Sequence, residues 1–408
     1  MNSSGRRLAS LAFTSLGHFA NDGMTFSVGL IADLFTAEKI AAPPAITLMF
    51  VVFYASPLIL SLYVGRKADA SGRPGRLISL GVALLALGMV GFYSSIELVP
   101  KSLVEPTILV SALLAGFGSA FYHPLGATIL QSTFGQASKG KAMGVNGAMG
   151  SLGRTIYPTL FFVFAALSSN GDAPLFFGLI GLVLAFAIYV GLRGFQGPVT
   201  ARKQGADATP QRSLSIGVIV LSVVAFVRSA TLGGMTSWLP TYLTYGKGYG
   251  FTGKVGIAIS LIYAVAILGQ PFFGWLVDKF DKRYVLGLST FFAGLSMLAS
   301  VSLSGIVTTV FLAAFAFCAF SGFPLLLSLA SDYAQGGHSS LSNAMVWGLG
   351  SGGGGTLGPA IVGYLIGFGQ YGLLGQAFLT MSFAAIVVSA ASIFMPKPLS
   401  YRKLPAFS

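Results

Sequence analysis

Apolar runs of membrane-spanning length, separated by short polar bursts, recur along the whole chain. A bilayer core needs about 20 apolar residues per helix. Twelve runs meet that length, at approximately 8–33, 45–65, 77–97, 106–131, 142–167, 174–195, 214–244, 254–277, 284–304, 305–330, 342–367 and 372–395. Turn and helix-stop residues mark most of the breaks: Pro43-Pro44, Ser71-Gly72-Arg73-Pro74, Lys101 to Pro106, Ser138 to Lys141 and Ser168 to Pro174. Between the ninth and tenth runs only Ser304 and Gly305 mark the turn. The pattern predicts an all-α integral membrane protein with twelve transmembrane helices. Arg6 and Arg7 precede the first run as in a signal peptide, but that run is long, contains His18, Asn21 and Asp22, and shows no small-residue cleavage site. We read it as a retained helix.

Composition agrees. Only 9% of the 408 residues are charged and 54% are hydrophobic, and the mean hydropathy is +0.80. A soluble domain carries about 25% charged residues, so a soluble enzyme is excluded. The 54 glycines suit close-packed membrane helices. The net charge of +13 raises the question of nucleic acid, but the charges form no basic stripe or long tail. They sort by side instead. With both termini cytoplasmic and loops alternating, 18 of the 24 Lys and Arg fall inside, 4 fall outside and 2 lie within spans. This is the positive-inside bias. A single cysteine, Cys318, rules out an internal disulfide and reads as a small buried hydrophobe.

The longest polar stretch between runs, Gln196 to Ser213, divides the chain nearly in half, and the halves repeat. After the second span comes Gly65-x3-Asp69-x2-Gly72-Arg73-x2-Arg76; after the eighth, 209 residues on, comes Gly274-x3-Asp278 with Lys282 and Arg283 behind it. Pro124 in the fourth span is matched by Pro324 in the tenth. Gly150-x-x-Gly153 then Pro158 is echoed by Gly352-x-x-Gly355 then Pro359. The chain resembles the major facilitator superfamily over nearly its whole length. The resemblance implies two pseudo-symmetric six-helix bundles, 1–195 and 214–395, joined by a cytoplasmic linker 196–213 and followed by a tail 396–408. It also implies a central site opening alternately to each side. Gly65, Asp69, Gly72, Arg73, Arg76, Gly274, Asp278 and Arg283 are then the gating set. Asp69 would latch one state by pairing across the cytoplasmic gap; the alternative is an ordinary polar loop. Gly17-His18-Phe19-Ala20-Asn21-Asp22 and Gly116-Phe-Gly118-Ser-Ala-Phe-Tyr122-His123-Pro124 resemble fosmidomycin-resistance-type exporters, although Leu125 stands where those relatives often carry an acid.

A charge in the membrane core costs roughly 2.5–3.5 kcal/mol and marks a cavity or a partner. Only Asp22, Arg154 and Arg228 are formal charges deep in a span, joined by His18 and His123. His18 and Asp22, four residues apart, share a helix face beside Asn21. A carboxylate against an imidazole is a natural proton site, or a static network bracing the first helix. The kink expected at Pro124 can aim His123 inward, with Tyr122 as neighbour; the alternative is a structural histidine on an apolar helix. We therefore expect proton coupling from Asp22, His18 and His123. Arg154 interrupts Gly147-x-x-Gly150-x-x-Gly153, a flat packing face, with Tyr157 one turn on. It can fork onto an anion or pair with an acid such as Asp22. Arg228, in the seventh span, would supply a second cation from the other half. Arg154, Arg228, Asn21, Tyr122 and Tyr157 are the expected substrate contacts. Asp33 and Asp332 fall near span ends and read as interfacial.

Gly350-x-Gly352-x-x-Gly355 matches a dinucleotide fingerprint, but it follows no strand and lies in an apolar span. No nucleophile constellation, metal site or cofactor is expected. The reading is a proton-coupled exporter moving a small organic solute, anionic or zwitterionic, by alternating access. We place it in the plasma (inner) membrane as a monomer with both termini cytoplasmic. An organic-anion uptake symporter or uniporter keeps the fold and changes the direction. A non-transporting receptor or channel leaves the repeated latch motif without a purpose.

Overall fold

The computed structural model describes residues 3–71, 73–134, 136–195, 215–334, 342 and 344–398. The linker 196–213, Gly72, the tail from 399 onward and the side chains of Gly65 and Asp69 lie outside the described residues. The first half runs α1 (Ser3–Ala37), α2 (Pro43–Ser71), α3 (Pro74–Glu97), α4 (Val104–Ser119), α5 (Tyr122–Thr133), α6 (Gln136–Leu167) and α7 (Ala173–Leu192). The second runs α8 (Ile216–Thr241), a π-helical turn (Tyr242–Gly246), α9 (Gly253–Ala264), α10 (Ala266–Lys279), α11 (Lys282–Ser302), α12 (Gly305–Ala319) and α13 (Gly322–Tyr333). A second π-helix (Ala344–Gly352), α14 (Gly353–Leu365) and α15 (Leu374–Ile393) complete it.

Among the described residues, nine segments are long and apolar enough to cross a membrane. The remaining spans are α1, whose apolar run is diluted by polar residues, α12 with α13, and the second π-helix with α14. Together they form the twelve-helix architecture predicted from the apolar runs. Three of the runs read as continuous are broken. The fourth breaks at Ala120-Phe121, the eighth at Val265 and the tenth at Phe320-Ser321. The first and third breaks correspond: Pro124 and Pro324 each stand third in the helix that resumes. Proline lacks the N–H that would continue the ladder into the preceding turn.

The halves repeat their packing. α1 lies on α6 as α8 lies on α14, and α3 lies on α4 and α7 as α11 lies on α12 and α15. Glycines make these approaches possible. A Cβ on Gly153 would overlap the Phe19 carbonyl oxygen, and one on Gly354 or Gly358 would overlap the carbonyl of Phe226 or Ala230. The glycine run in the eleventh span is thus a packing face, which accounts for its chance likeness to a nucleotide fingerprint.

An even number of spans returns the chain to the face where it began, called here the terminal face. On the opposite face the halves are in contact. Thr159 hydrogen-bonds Ser260 at 2.7 Å, Thr36 reaches the Tyr371 hydroxyl at 3.4 Å, and Phe50 meets Trp238 edge-on at 5.2 Å. Gly29 brings α1 close to α8: a Cβ there would lie 2.9 Å from the Ser237 carbonyl oxygen.

Close helix contact at Gly354 predicts an asymmetric pair of variants. Gly354→Ala should cost about 1–3 kcal/mol through overpacking. Gly355→Ala, where the new methyl meets open space, should stay within about 0.5 kcal/mol. Thermal unfolding of the purified protein in detergent measures both.

Candidate functional site

Between the halves lies a cavity of about 840 Å³. Its lining residues sit from mid-span toward the terminal face, including Tyr54, Leu130, Met143, Gln270, Gly274 and Trp347. Polar groups enter its mainly apolar wall from α1, α5, α6 and α8.

Asp22 is the centre. It is 3% exposed, and Arg154 from α6 donates to its Oδ2 at 2.5 Å. His18 Nε2 lies 3.4 Å from Oδ2, His123 Nε2 lies 3.5 Å from Oδ1, and the Asn21 amide donates to Oδ1 at 3.1 Å. One carboxylate thus gathers three elements. The helix spacing places His18 and Asp22 on one face of α1, and Gly150 leaves room for the imidazole, since a Cβ there would strike the ring. The break before α5 delivers His123, whose side chain is 43% exposed to the cavity. Arg154 also donates to Ser151 Oγ at 2.7 Å and lies over the rings of Phe26 and Phe320, 5.2 and 4.8 Å from their centroids.

Behind this group Asn146 organises the wall. Its carbonyl oxygen accepts from His18 Nδ1 at 2.8 Å, and its side-chain oxygen accepts from the Tyr122 hydroxyl at 2.9 Å. The Tyr122 ring stacks on His18, with centroids 4.7 Å apart. With Nδ1–H committed to a carbonyl, Nε2 of His18 faces the Asp22 carboxylate. That approach is attractive with a proton on Nε2 and repulsive without one. The sequence reading missed Asn146 and Ser151. Asn146, a lone amide in an apolar span, was a signal available in the sequence.

Arg228 reaches the cavity from α8. Its Nε donates to Thr290 Oγ1 at 3.0 Å, and its NH2 group donates to the Ala319 carbonyl at 3.0 Å and more weakly to Cys318. Those carbonyls end α12 at the break in the tenth span, where the regular ladder of N–H donors stops. A cation there also suits the negative end of the helix dipole. The two arginines therefore differ: Arg154 has an acid, while Arg228 has a helix end. Tyr122 lines the cavity with both arginines, whereas Asn21 and Tyr157 stand behind the wall. Tyr157 packs over Gly23 and against Phe177 at 4.7 Å.

His18, Asp22 and His123 offer three ligand atoms within 4.8 Å of one another, a spacing a transition-metal ion can span. The guanidinium on the same carboxylate opposes a cation there. Asp33, read as interfacial, is fully buried because α1 turns it against the second half. Asp332 pairs with Lys282 at 2.7 Å.

Comparison with known proteins gives the family. The model of the Major Facilitator Superfamily matches residues 14–352 and, in a second match, 252–408. The chain belongs to the major facilitator superfamily. It is a multi-pass membrane transporter of small solutes and not an enzyme. It is similar to the fosmidomycin resistance protein of Escherichia coli, at 24% identity over 369 residues covering 87% of this chain and 86% of that protein. A probable sulfoacetate transporter of Cupriavidus necator is 24% identical over 383 residues, 83% of each chain. Multidrug resistance protein 2 of Bacillus subtilis is 24% identical over 326 residues, 77% of this chain and 78% of that one. Among solved structures, a bacterial homolog of the human lysosomal transporter Spinster superposes with a TM-score of 0.70 at 17% identity, over 96% of both chains.

Of the superfamily signature, Arg73 precedes α3 and Arg76 lies exposed in its first turn. In the second copy Gly274 lines the cavity and Asp278 is exposed. Arg283 is buried and forks onto Asp281, 2.7 Å from Oδ2, while its NH1 group donates to the Met395 carbonyl at 2.6 Å. It clasps α11 to the end of α15 within its own half.

Removing one partner of a buried ion pair leaves the other uncompensated. Arg154→Ala should therefore destabilise the protein by about 3–5 kcal/mol. The paired variant Asp22→Asn with Arg154→Gln should recover most of that loss in thermal unfolding.

Proposed function

We propose that the protein is a proton-coupled transporter of a small zwitterionic or anionic organic solute, and that it works as an exporter. The observation that carries this reading is the Asp22 carboxylate shared by Arg154, His18 and His123 on the cavity wall. A proton on Asp22 weakens its hold on all three. The terminal face is taken as cytoplasmic, because the basic residues gather there and positive charge stays inside. The cavity then opens to the cytoplasm, from which an exporter loads. The names of the relatives from Escherichia coli and Bacillus subtilis, both resistance proteins, favour export as well.

Coupling direction follows from what the solute displaces. An ammonium seated on Asp22 excludes the proton from that carboxylate. Solute and proton then move in opposite directions, which is antiport. The acidic end of the same solute would lie toward Arg154 and Arg228. The Spinster-like fold and the apolar wall of Phe26, Tyr54, Phe320 and Trp347 leave room for an organic body between the charges.

A second reading has its own support. A pure anion drawing Arg154 away leaves Asp22 without its cation, so the carboxylate gains affinity for a proton. Anion and proton then travel together, as in an uptake symporter. The relative from Cupriavidus necator, named for a dianionic sulfonate, stands with this reading.

Reconstituted liposomes separate the two. We expect an outward-to-inward proton gradient to expel a zwitterionic solute from the cytoplasmic side, with Asp22→Asn abolishing the response to the gradient. Solute accumulating with the proton instead establishes symport. Transport that follows the gradient unchanged in Asp22→Asn removes Asp22 as the proton carrier.

A further inference from the structure

We propose that Asp33 is a second proton-binding carboxyl, built into the closed opposite face, that holds the two halves together while protonated and releases them when it ionises. It rests on the alternating-access reading but not on Asp22 as the coupling site.

Asp33 lies near the far end of α1 and is fully buried. Its Oδ2 accepts a hydrogen bond from the Thr244 hydroxyl, which belongs to the second half, in the π-helical turn after α8. Its Oδ1 and the buried hydroxyl of Thr241 lie close enough to interact, but neither has a partner in hydrogen-bond geometry. Among the described residues no Lys, Arg or His forms an ion pair with it, in contrast to Asp22 on the same helix. The titratable groups coupled to it are the phenols of Tyr245 and Tyr371, whose rings stack 5.3 Å apart. The far halves of α2 (43–53) and α7 (173–185) carry no ionisable side chain. The neighbouring acids turn elsewhere: Glu38 accepts from Asn170, and Glu105 accepts from the Ala42 N–H.

A buried carboxylate with one hydrogen bond and no cation is unfavourable, whereas the protonated acid needs no counter-charge. When the halves part on this face, water reaches the carboxyl and the charged form becomes affordable. Low pH therefore favours the closed face and rising pH favours the open one. Asp33 is not on the wall of the cavity, so it takes and returns its proton on the opposite face alone. It biases the gate without carrying a proton across.

The test reads the gate directly. Spin labels on Leu103→Cys and Ile306→Cys, both exposed and on opposite halves, report the separation of the halves by pulsed electron resonance, in a Cys318→Ser protein in nanodiscs. An Asp22→Asn, Arg154→Gln background removes the cavity carboxylate from the pH response without leaving the guanidinium unpaired. There we expect the long-distance population to grow as pH rises, and we expect that growth to be lost when Asp33→Asn is added. Asp33→Glu should keep it with a shifted midpoint. If Asp33→Asn leaves the pH response unchanged, or if no variant or parent opens with pH, the proposal is overturned. Where Asp33→Asn lowers yield, Thr244→Val supplies the second arm. Losing the hydroxyl that bridges the halves should raise the open population at low pH, and an unchanged population there also counts against the gate. Failure of solute coupling through Asp22 leaves these readouts untouched.

Discussion

An ionised carboxylate halfway across a hydrocarbon slab needs a cation against it, and the arrangement of the first half follows from meeting that need at Asp22. Arg154 can sit 2.5 Å away only because α1 and α6 pack closely. That closeness depends on Gly150 and Gly153, where a side chain would run into His18 or the α1 backbone. Glycine in this helix is therefore an electrostatic requirement as much as a packing one. His18 fits in the same gap, backed by Asn146 and Tyr122.

The second half solves a different problem with the same architecture. Its counterpart of α1 carries Arg228 and no acid at the cavity, so the charge is satisfied by the carbonyls at the broken end of α12. Gly322 gives the guanidinium its space, since a Cβ there would strike it. The pseudo-symmetry thus extends to glycine contacts and helix breaks, but it stops at charge. A cation held by a carboxylate is released when that carboxylate takes up a proton or another cation. A cation held by backbone carbonyls is fixed in position and offers a steady positive wall. The electrostatic asymmetry of the cavity lies in that difference.

Much of this was legible from one-dimensional spacing. Span number follows from hydrophobic length, because a bilayer imposes that length on the chain directly. His18 and Asp22 share a face by helical arithmetic, and the pairing of Arg154 with Asp22 was one of two readings its burial allowed. The rest depended on contacts between distant segments. Asn146 matters because α6 turns it toward His18, 128 residues away. The breaks in the fourth and tenth spans are hinted at by Pro124 and Pro324, yet the fracture lies a few residues earlier. Asp33 was misplaced for the clearest reason. Its position near a span end suggests water, and only the second half, seated on α1, removes that water.

The two acids of α1 then define what the helix does. They are 11 residues apart, about 16 Å along the axis at 1.5 Å per residue, so they cannot sense one another strongly across a packed interior. Asp22 has Arg154 and two imidazoles beside it and faces the cavity; Asp33 has no basic partner among the described residues and faces the seam between the halves. In the proposed alternating-access cycle, a rocking of the halves would change their surroundings in opposite phase: as the cavity side of α1 gained water, the far end would lose it. With the proton sites proposed above, a helix that carries one acid at the central cavity and another at the opposite seam would link proton occupancy at the two places mechanically. It needs no coupled relay of side chains, because α1 itself moves with its bundle. That link works only if α1 stays straight and continuous, and α1 does run unbroken from Ser3 to Ala37, while the fourth, eighth and tenth spans are interrupted.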